Sequence, residues 1–145
     1  MKATRVYALV SGFVLLIVGV AGLLPPLVAP PLFRFDNVRV TLLYGDVAGV
    51  LPANIIQSSM RLLIGIWGVA ASWRGRGAPR AFARAAAVLF GLLTIMGLIP
   101  ATSSAFGLMP LYGNNIWLHG ALALLGALAG WGIPTSRPGD GDIPY

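Results

Sequence analysis

The chain has 145 residues, of which 57% are hydrophobic and only 10% are charged, and its formal net charge is +6 at pH 7. Soluble domains carry about 25% charged residues, so this composition excludes an ordinary soluble globule and favours one domain in a lipid environment. The chain contains no cysteine, which excludes disulfides, thiolate metal sites and cysteine nucleophiles.

The first predicted element is a membrane-spanning helix over residues 6–24. Val6–Leu24 contains no charged residue, and about 20 helical residues cross the hydrocarbon core of a bilayer. A cleaved signal peptide is the alternative, because the start is basic and Gly19–Gly22 is a patch of small residues. Signal peptides have shorter apolar segments of about 7–15 residues, which favours a retained helix. Pro25 ends it, since proline cannot continue a helix.

The longest predicted connection covers residues 25–53. Val38–Thr41 alternates in polarity like a short strand, but one short strand without a partner is not stable. An interfacial segment is an equal alternative, because the aromatic residues Phe33, Phe35 and Tyr44 are typical of a membrane surface.

The second predicted span covers residues 54–73. Asn54 is a good N-cap, because its side chain accepts from backbone N–H groups that the helix leaves unpaired. Gln57 and Arg61 are spaced i, i+4 and therefore share one helix face. An arginine inside a span pairs within the bundle or extends to the headgroups. Either of these is favoured over the alternative, an anion or lipid-headgroup site formed with Gln57.

The third and fourth predicted spans cover residues 81–99 and 116–133, and both carry small residues at helical spacing. Such residues allow two helices to approach closely. Pro100 ends the third span. The polar tail, residues 134–145, is too rich in proline and glycine to form an element. The predicted contact positions are Ala83, Ala87 and Gly91 in the third span, and Gly126 and Gly130 in the fourth.

The basic residues flank the apolar segments and form no continuous helix face, so no nucleic-acid partner is predicted. Basic residues concentrate on the cytoplasmic side of membrane proteins. If the chain crosses four times, seven basic residues lie on one side and two on the other. The first set is Lys2, Arg5, Arg74, Arg76, Arg80, Arg84 and Arg137, and the second is Arg34 and Arg39. We therefore predict a bacterial inner-membrane protein with both termini in the cytoplasm.

The two halves of the chain carry similar residues at corresponding positions. Gly22-Leu23-Leu24-Pro25 ends the first predicted span, and Gly97-Leu98-Ile99-Pro100 ends the third. Asn54 and Asn115 begin the second and fourth spans. We predict an all-α, four-transmembrane-helix bundle built from two helix–loop–helix repeats, related by an axis along the membrane normal. The transmembrane domain covers residues 1–133, and residues 134–145 form a cytoplasmic tail.

The segment Gly113-Asn114-Asn115-Ile116-Trp117-Leu118-His119 resembles a motif, Gly-Asn-Asp-Ile-Trp-Leu-His, of a known family. That family consists of small bacterial four-helix membrane proteins known only as a domain of unknown function. Its second-helix motif, Asn-x-x-His-Asn-x-x-His, is kept at Asn54. Gln57, Ser58 and Arg61 stand where His, Asn and His are usual. The resemblance covers about residues 5–132. It implies the four-helix membrane fold and lends no activity.

A candidate polar cluster lies where the second and fourth spans begin. Unpaired polar groups in lipid are costly, so we expect these side chains to turn inward and bond to one another, to the connections or to water. Trp117 beside them is predicted to lie in an interfacial aromatic belt. The cluster members are Asn54, Gln57, Arg61, Asn114, Asn115 and His119.

His119 is the only histidine, so a protein zinc site is not expected. A single haem ligand is the alternative to a histidine that is hydrogen-bonded at the start of its helix. No metal, cofactor or catalytic residue is predicted, and the chain is not expected to be an enzyme. We expect a structural or accessory subunit of a larger membrane complex. The alternative is a small carrier or sensor, with an outward-facing polar pocket for an anion, a lipid headgroup or a quinone-like ligand.

Overall fold

A computed structural model describes residues 2–32, 37–75 and 77–132. Within these residues the chain forms four α-helices: α1 (Lys2–Leu23), α2 (Ile55–Trp73), α3 (Gly77–Leu98) and α4 (Asn114–Trp131). The predicted helical bundle is confirmed, and α1, α2 and α3 are long and apolar enough to cross a membrane. Over its described length of 18 residues, α4 falls outside that group. The tail, residues 134–145, lies outside the described residues.

The helix ends follow largely from local sequence, although α1, α3 and α4 each begin earlier than predicted. Asn54 is the N-cap of α2, as predicted, and α1 ends two residues before Pro25. However, α3 begins at Gly77 rather than at residue 81. Pro79 does not prevent this, because it occupies the first helical turn, where no N–H is needed for a bond within the helix.

Glycines bring the backbones of α1 and α2 into contact. A Cβ atom added at Gly12 would lie 2.7 Å from the amide nitrogen of Val69, and one added at Gly65 would lie 2.7 Å from the amide nitrogen of Leu16. Real side chains do not approach so closely, so only glycine permits this packing. The glycines of α1 were not predicted to form a helix contact.

The small residues of α3 and α4 pack against each other. Ala83 is fully buried, and a Cβ atom added at Gly126 would lie 2.9 Å from its carbonyl oxygen. Gly130 is similarly close to Arg84. Gly91 is looser than predicted, since its nearest non-local neighbour is the Cβ of Ala123 at 3.9 Å. The predicted contact is therefore confirmed for Ala83 and both α4 glycines and is weak at Gly91, while Ala87 is buried.

An apolar core joins the two helix pairs. Phe82 and Phe90 of α3 are fully buried, and the ring of Phe82 meets that of Trp67 edge to face at 5.1 Å between centroids. The hydroxyl of Tyr7 donates to the carbonyl oxygen of Leu122 at 2.7 Å, which links α1 to α4. The buried side chains of this core are held by helices from both pairs, so the bundle packs as one unit.

The first long connection contains a small antiparallel sheet. Its strands are β1 (Val28–Ala29), β2 (Gly45–Val47) and β3 (Leu51–Ala53), in that order. Val28 is opposite Val47, and Asp46 is opposite Pro52. The alternating segment Val38–Thr41 is not a strand. Instead, the N–H of Arg39 donates to the carbonyl oxygen of Gly107 at 2.9 Å, joining the two long connections.

Consecutive helices of the bundle run in opposite directions. The two long connections therefore lie at one end of the bundle, and the basic turn between α2 and α3 lies at the other. At the basic end, Arg5 donates to the carbonyl oxygen of Arg74 at 3.5 Å. Arg84 donates to the carbonyl oxygen of Gly130 at 3.0 Å and lies over the ring of Trp131. The orientation of these ends relative to a membrane, and the internal repeat, stay predictions.

Candidate functional site

Asn54 connects the start of α2 to both long connections. Its side-chain oxygen accepts from the backbone N–H of Gln57 at 3.1 Å. Its amide nitrogen donates to the carbonyl oxygens of Val40 at 3.0 Å and Leu108 at 2.7 Å. The side chain is fully buried, so each of these three bonds replaces a bond that water would otherwise make.

Asn115 has the same role at the start of α4. The residue that precedes α4, Gly113, has φ 64, a left-handed conformation that glycine adopts without strain. The amide nitrogen of Asn115 donates to the carbonyl oxygens of Pro52 at 2.8 Å and Pro110 at 2.9 Å. Its side-chain oxygen is thereby oriented toward α2, where it accepts from Arg61.

Arg61 is fully buried and bonds across the bundle. One of its terminal nitrogens, Nη2, donates to the side-chain oxygen of Asn115 at 2.6 Å. We predicted that this arginine either pairs within the bundle or extends to the headgroups. The structure shows a bond between helices, so the predicted extension to the headgroups is wrong. Asn115 has no charge, so its hydrogen bond does not neutralise the positive charge of the guanidinium.

His119 lies one turn below Asn115 on α4, and Gln57 lies one turn above Arg61 on α2. Both are fully buried, and the His119 ring stacks on Phe90 at 5.4 Å between centroids. Together with Asn54, these residues form what we call the buried polar cluster: Asn54, Gln57, Arg61, Asn115 and His119.

Several polar atoms of this region have no hydrogen-bond partner among the described residues. In native proteins the large majority of buried polar atoms are paired with protein or ordered water, so this concentration in one place is unusual. The atoms are Nε2 and Oε1 of Gln57, Oγ of Ser58, Nε and Nη1 of Arg61, and Nδ1 and Nε2 of His119.

The surroundings of Arg61 are electropositive. Asp46 is the only acidic residue in the described part of the chain, and its carboxylate accepts from the backbone N–H of Leu32 at 2.9 Å. Both α2 and α4 begin at the cluster, and the N-terminal end of a helix carries a partial positive charge. The cluster therefore combines one full and two partial positive charges.

The other two predicted residues lie outside the buried polar cluster. Asn114 is exposed and donates to the carbonyl oxygen of Val50 at 3.0 Å. Trp117 is 78% exposed on the outer face of α4. The structure thus brings five of the six predicted polar residues together, and a functional role for them stays a prediction.

Two tyrosines above the cluster were not predicted as a pair. The hydroxyls of Tyr44 and Tyr112 are hydrogen-bonded to each other. Burial, and then this bond, raise the pKa of Tyr112 above its ordinary value. Tyr44 lies in the first connection and Tyr112 in the second, so the bond joins the connections. Their spacing in the sequence contains no signal for this contact.

The expected absence of a metal site stays a prediction. In residues 2–32, 37–75 and 77–132, no three metal-ligating His, Cys, Asp or Glu side chains come together.

The fold and the cluster define a class: a small helical bundle with membrane-spanning character and a polar group of side chains inside its apolar core. The chain belongs to a family described as Domain of unknown function (DUF4383), whose profile matches residues 5–132. This confirms the family resemblance. No curated protein and no solved structure shows a significant similarity to the chain.

Proposed function

We propose that the protein is a non-catalytic integral membrane protein that crosses the bilayer four times and acts as an accessory subunit of a larger membrane complex. Three apolar helices of sufficient length support the membrane location. The excess of basic residues at the end that holds the α2–α3 turn supports cytoplasmic termini and a bacterial inner-membrane location.

The observation that carries the accessory role is an apolar groove between α1 and α4. It has a volume of about 620 Å³ and opens to the outside of the bundle. Two hydroxyls lie in it, and both are already bonded: Tyr7 to Leu122, and Ser11 to the carbonyl oxygen of Tyr7. The groove therefore offers apolar contact and no free polar group. Its wall on α1 is formed by Ala3, Val6, Tyr7, Val10, Ser11 and Val14, and its wall on α4 by Leu122, Leu125, Leu128, Ala129 and Gly132.

The occupant that we propose is a single transmembrane helix of the partner. Along α1 the groove extends from Ala3 to Val14, which is about 16 Å at 1.5 Å per residue. An elongated groove parallel to the helices suits another helix. Small residues in the wall, such as Ala129 and Gly132, allow its backbone to approach.

A photoreactive amino acid placed at Val10 tests this proposal. Val10 lines the groove and is 55% exposed. The matched control is Ile95 on α3, which is 57% exposed and does not line the groove. We expect irradiation of native membranes to give a protein adduct of one defined mass from position 10 and none from position 95. The same partner should co-purify in mild detergent. Lipid adducts alone, or equal adducts from both positions, would contradict the accessory role.

A further inference from the structure

The buried polar cluster contains N–H donors that have no acceptor among the residues that the structure describes. Arg61 makes one bond, through Nη2, and its Nε and Nη1 groups have no partner in the described part of the chain. The same holds for the amide nitrogen of Gln57 and for the ring of His119, which offers one N–H donor as a neutral imidazole. All three side chains are fully buried. N–H groups so enclosed require an acceptor, because water at the surface does not reach them.

Gln57 and His119 each lie one helical turn from the residues of the Arg61–Asn115 bond. Arg61 lies in the second turn of α2 but bonds to Asn115 in the first turn of α4. Its guanidinium therefore extends back toward the helix starts, in the direction of Gln57 on its own helix. Long side chains of a helix are directed toward its N-terminal end, which is consistent with this path.

The buried polar cluster is electropositive as well as rich in hydrogen-bond donors. The Arg61 guanidinium stays protonated in proteins, and its one partner within residues 2–32, 37–75 and 77–132, Asn115, is neutral. Asp46, the sole acid of the described residues, is held by Leu32 in the sheet. The starts of α2 and α4 add positive potential. A buried charge is stable when an opposite charge accompanies it.

We propose that the buried polar cluster binds one small monovalent anion, of which chloride is the simplest example. Arg61, Gln57 and His119 donate hydrogen bonds to it, and Asn115 orients the guanidinium. One guanidinium balances one negative charge, which favours a singly charged ion. The three donor side chains are fully buried, which disfavours a ligand as large as a phospholipid headgroup. The site uses the inside of the bundle, so it is independent of lateral association through the α1–α4 groove.

Binding of radioactive chloride, ³⁶Cl⁻, to the purified full-length chain in detergent tests this proposal. We expect saturable binding of one chloride per chain, displaced by bromide or nitrate and not by sulfate. Replacing gluconate with chloride at constant ionic strength should raise the Tm. Absence of saturable binding, or displacement by sulfate as effective as by bromide, would overturn the proposal.

A pair of matched substitutions assigns the site. Arg61→Gln removes the proposed anion ligand, and Arg84→Gln removes an equal charge at the opposite end, where Arg84 bonds to Gly130. Loss of a hydrogen bond to a charged group weakens binding by about tenfold to a hundredfold. We expect at least that loss from Arg61→Gln and none from Arg84→Gln. An equal effect of both substitutions would refute the assignment.

Gln57→Glu keeps the test decisive if Arg61→Gln fails to fold. The Gln57 side chain makes no hydrogen bond with the described residues, so the substitution breaks none and places a carboxylate one turn from Arg61. The carboxylate should replace the anion. We expect a Tm above that of the wild type without chloride, and a Tm that no longer responds to chloride. A folded Gln57→Glu variant with the wild-type response to chloride would overturn the proposal.

Discussion

At the scale of single residues, two neighbouring asparagines show how position decides role. Asn115 is fully buried and holds Arg61, Pro52 and Pro110. Asn114 is exposed and makes one bond to the first connection. Successive residues of a helix point about 100° apart, so one of the pair faces the bundle and the other faces away.

Asn54 offers the clearest test at this scale. Asn54→Ala removes the N-cap of α2 and leaves the part-buried carbonyl oxygens of Val40 and Leu108 without this donor. Loss of a cap costs about 1 kcal/mol, and loss of each of the two hydrogen bonds adds about 0.5–1.5 kcal/mol. We expect the free energy of unfolding to fall by about 2–4 kcal/mol, measured by denaturant titration in detergent.

Asn114→Ala is the matched control, since it changes the same residue type at an exposed position with a single bond. Exposed substitutions usually alter stability by about 0.5 kcal/mol or less. Equal losses from the two variants would show that the bonds of Asn54 do not stabilise the protein.

At the scale of elements, each helix pair is held by close backbone contact, but individual glycines within the pairs differ in how closely they are packed. A Cβ atom added at Gly65 of α2 would lie 2.8 Å from the carbonyl oxygen of Gly12, and it would also lie too close to the backbone of Leu16. Gly91 of α3 has only the 3.9 Å contact with Ala123. Both are glycines within helices, but only Gly65 is required by its neighbours.

Two alanine substitutions separate these roles. Gly65→Ala forces the α1 backbone away, and overpacking of this kind costs about 1–3 kcal/mol. Gly91→Ala has room, and alanine favours a helix over glycine by about 0.5–1 kcal/mol. Thermal unfolding in detergent should therefore show a lower Tm for Gly65→Ala and an unchanged or higher Tm for Gly91→Ala. A lower Tm for Gly91→Ala alone would reverse the assignment of the tight contact.

At the scale of the whole molecule, the bundle has two chemically distinct ends. The end that contains both long connections is closed by the sheet, by the Tyr44–Tyr112 bond and by the bonds of Asn54. The opposite end contains Arg5, Arg74 and the basic turn. Basic residues are retained on the cytoplasmic side of a membrane, so we expect the closed end to face outward.

Single cysteines test this orientation, because the chain has none of its own. Ala3, Gly75 and Ala101 are exposed positions at the N-terminus, the basic turn and the second connection. In intact cells, an impermeant thiol reagent should label Ala101→Cys and leave Ala3→Cys and Gly75→Cys unlabelled until the cells are opened. Labelling of Ala3→Cys in intact cells would invert the topology.

The helices themselves were predictable because their signals are local. Uncharged apolar segments, the prolines after α1 and α3, and the Asn54 cap act within a few residues of where they occur. The same holds for the face shared by Gln57 and Arg61, which follows from helical spacing. The sequence by itself therefore determined the number, type and approximate ends of the helices, and the positions of most polar residues of the candidate site.

Tertiary structure decided which surfaces meet. Spacing places Arg61 on a helix face but does not identify Asn115 as its partner, since the two residues lie on different helices. The tightness of Gly12 and Gly65 depends on each other's backbone, and strands of two or three residues acquire stability only from their neighbours. A contact between distant segments depends on two surfaces at once. The sequence of one segment specifies only one of those surfaces, so it does not identify the other.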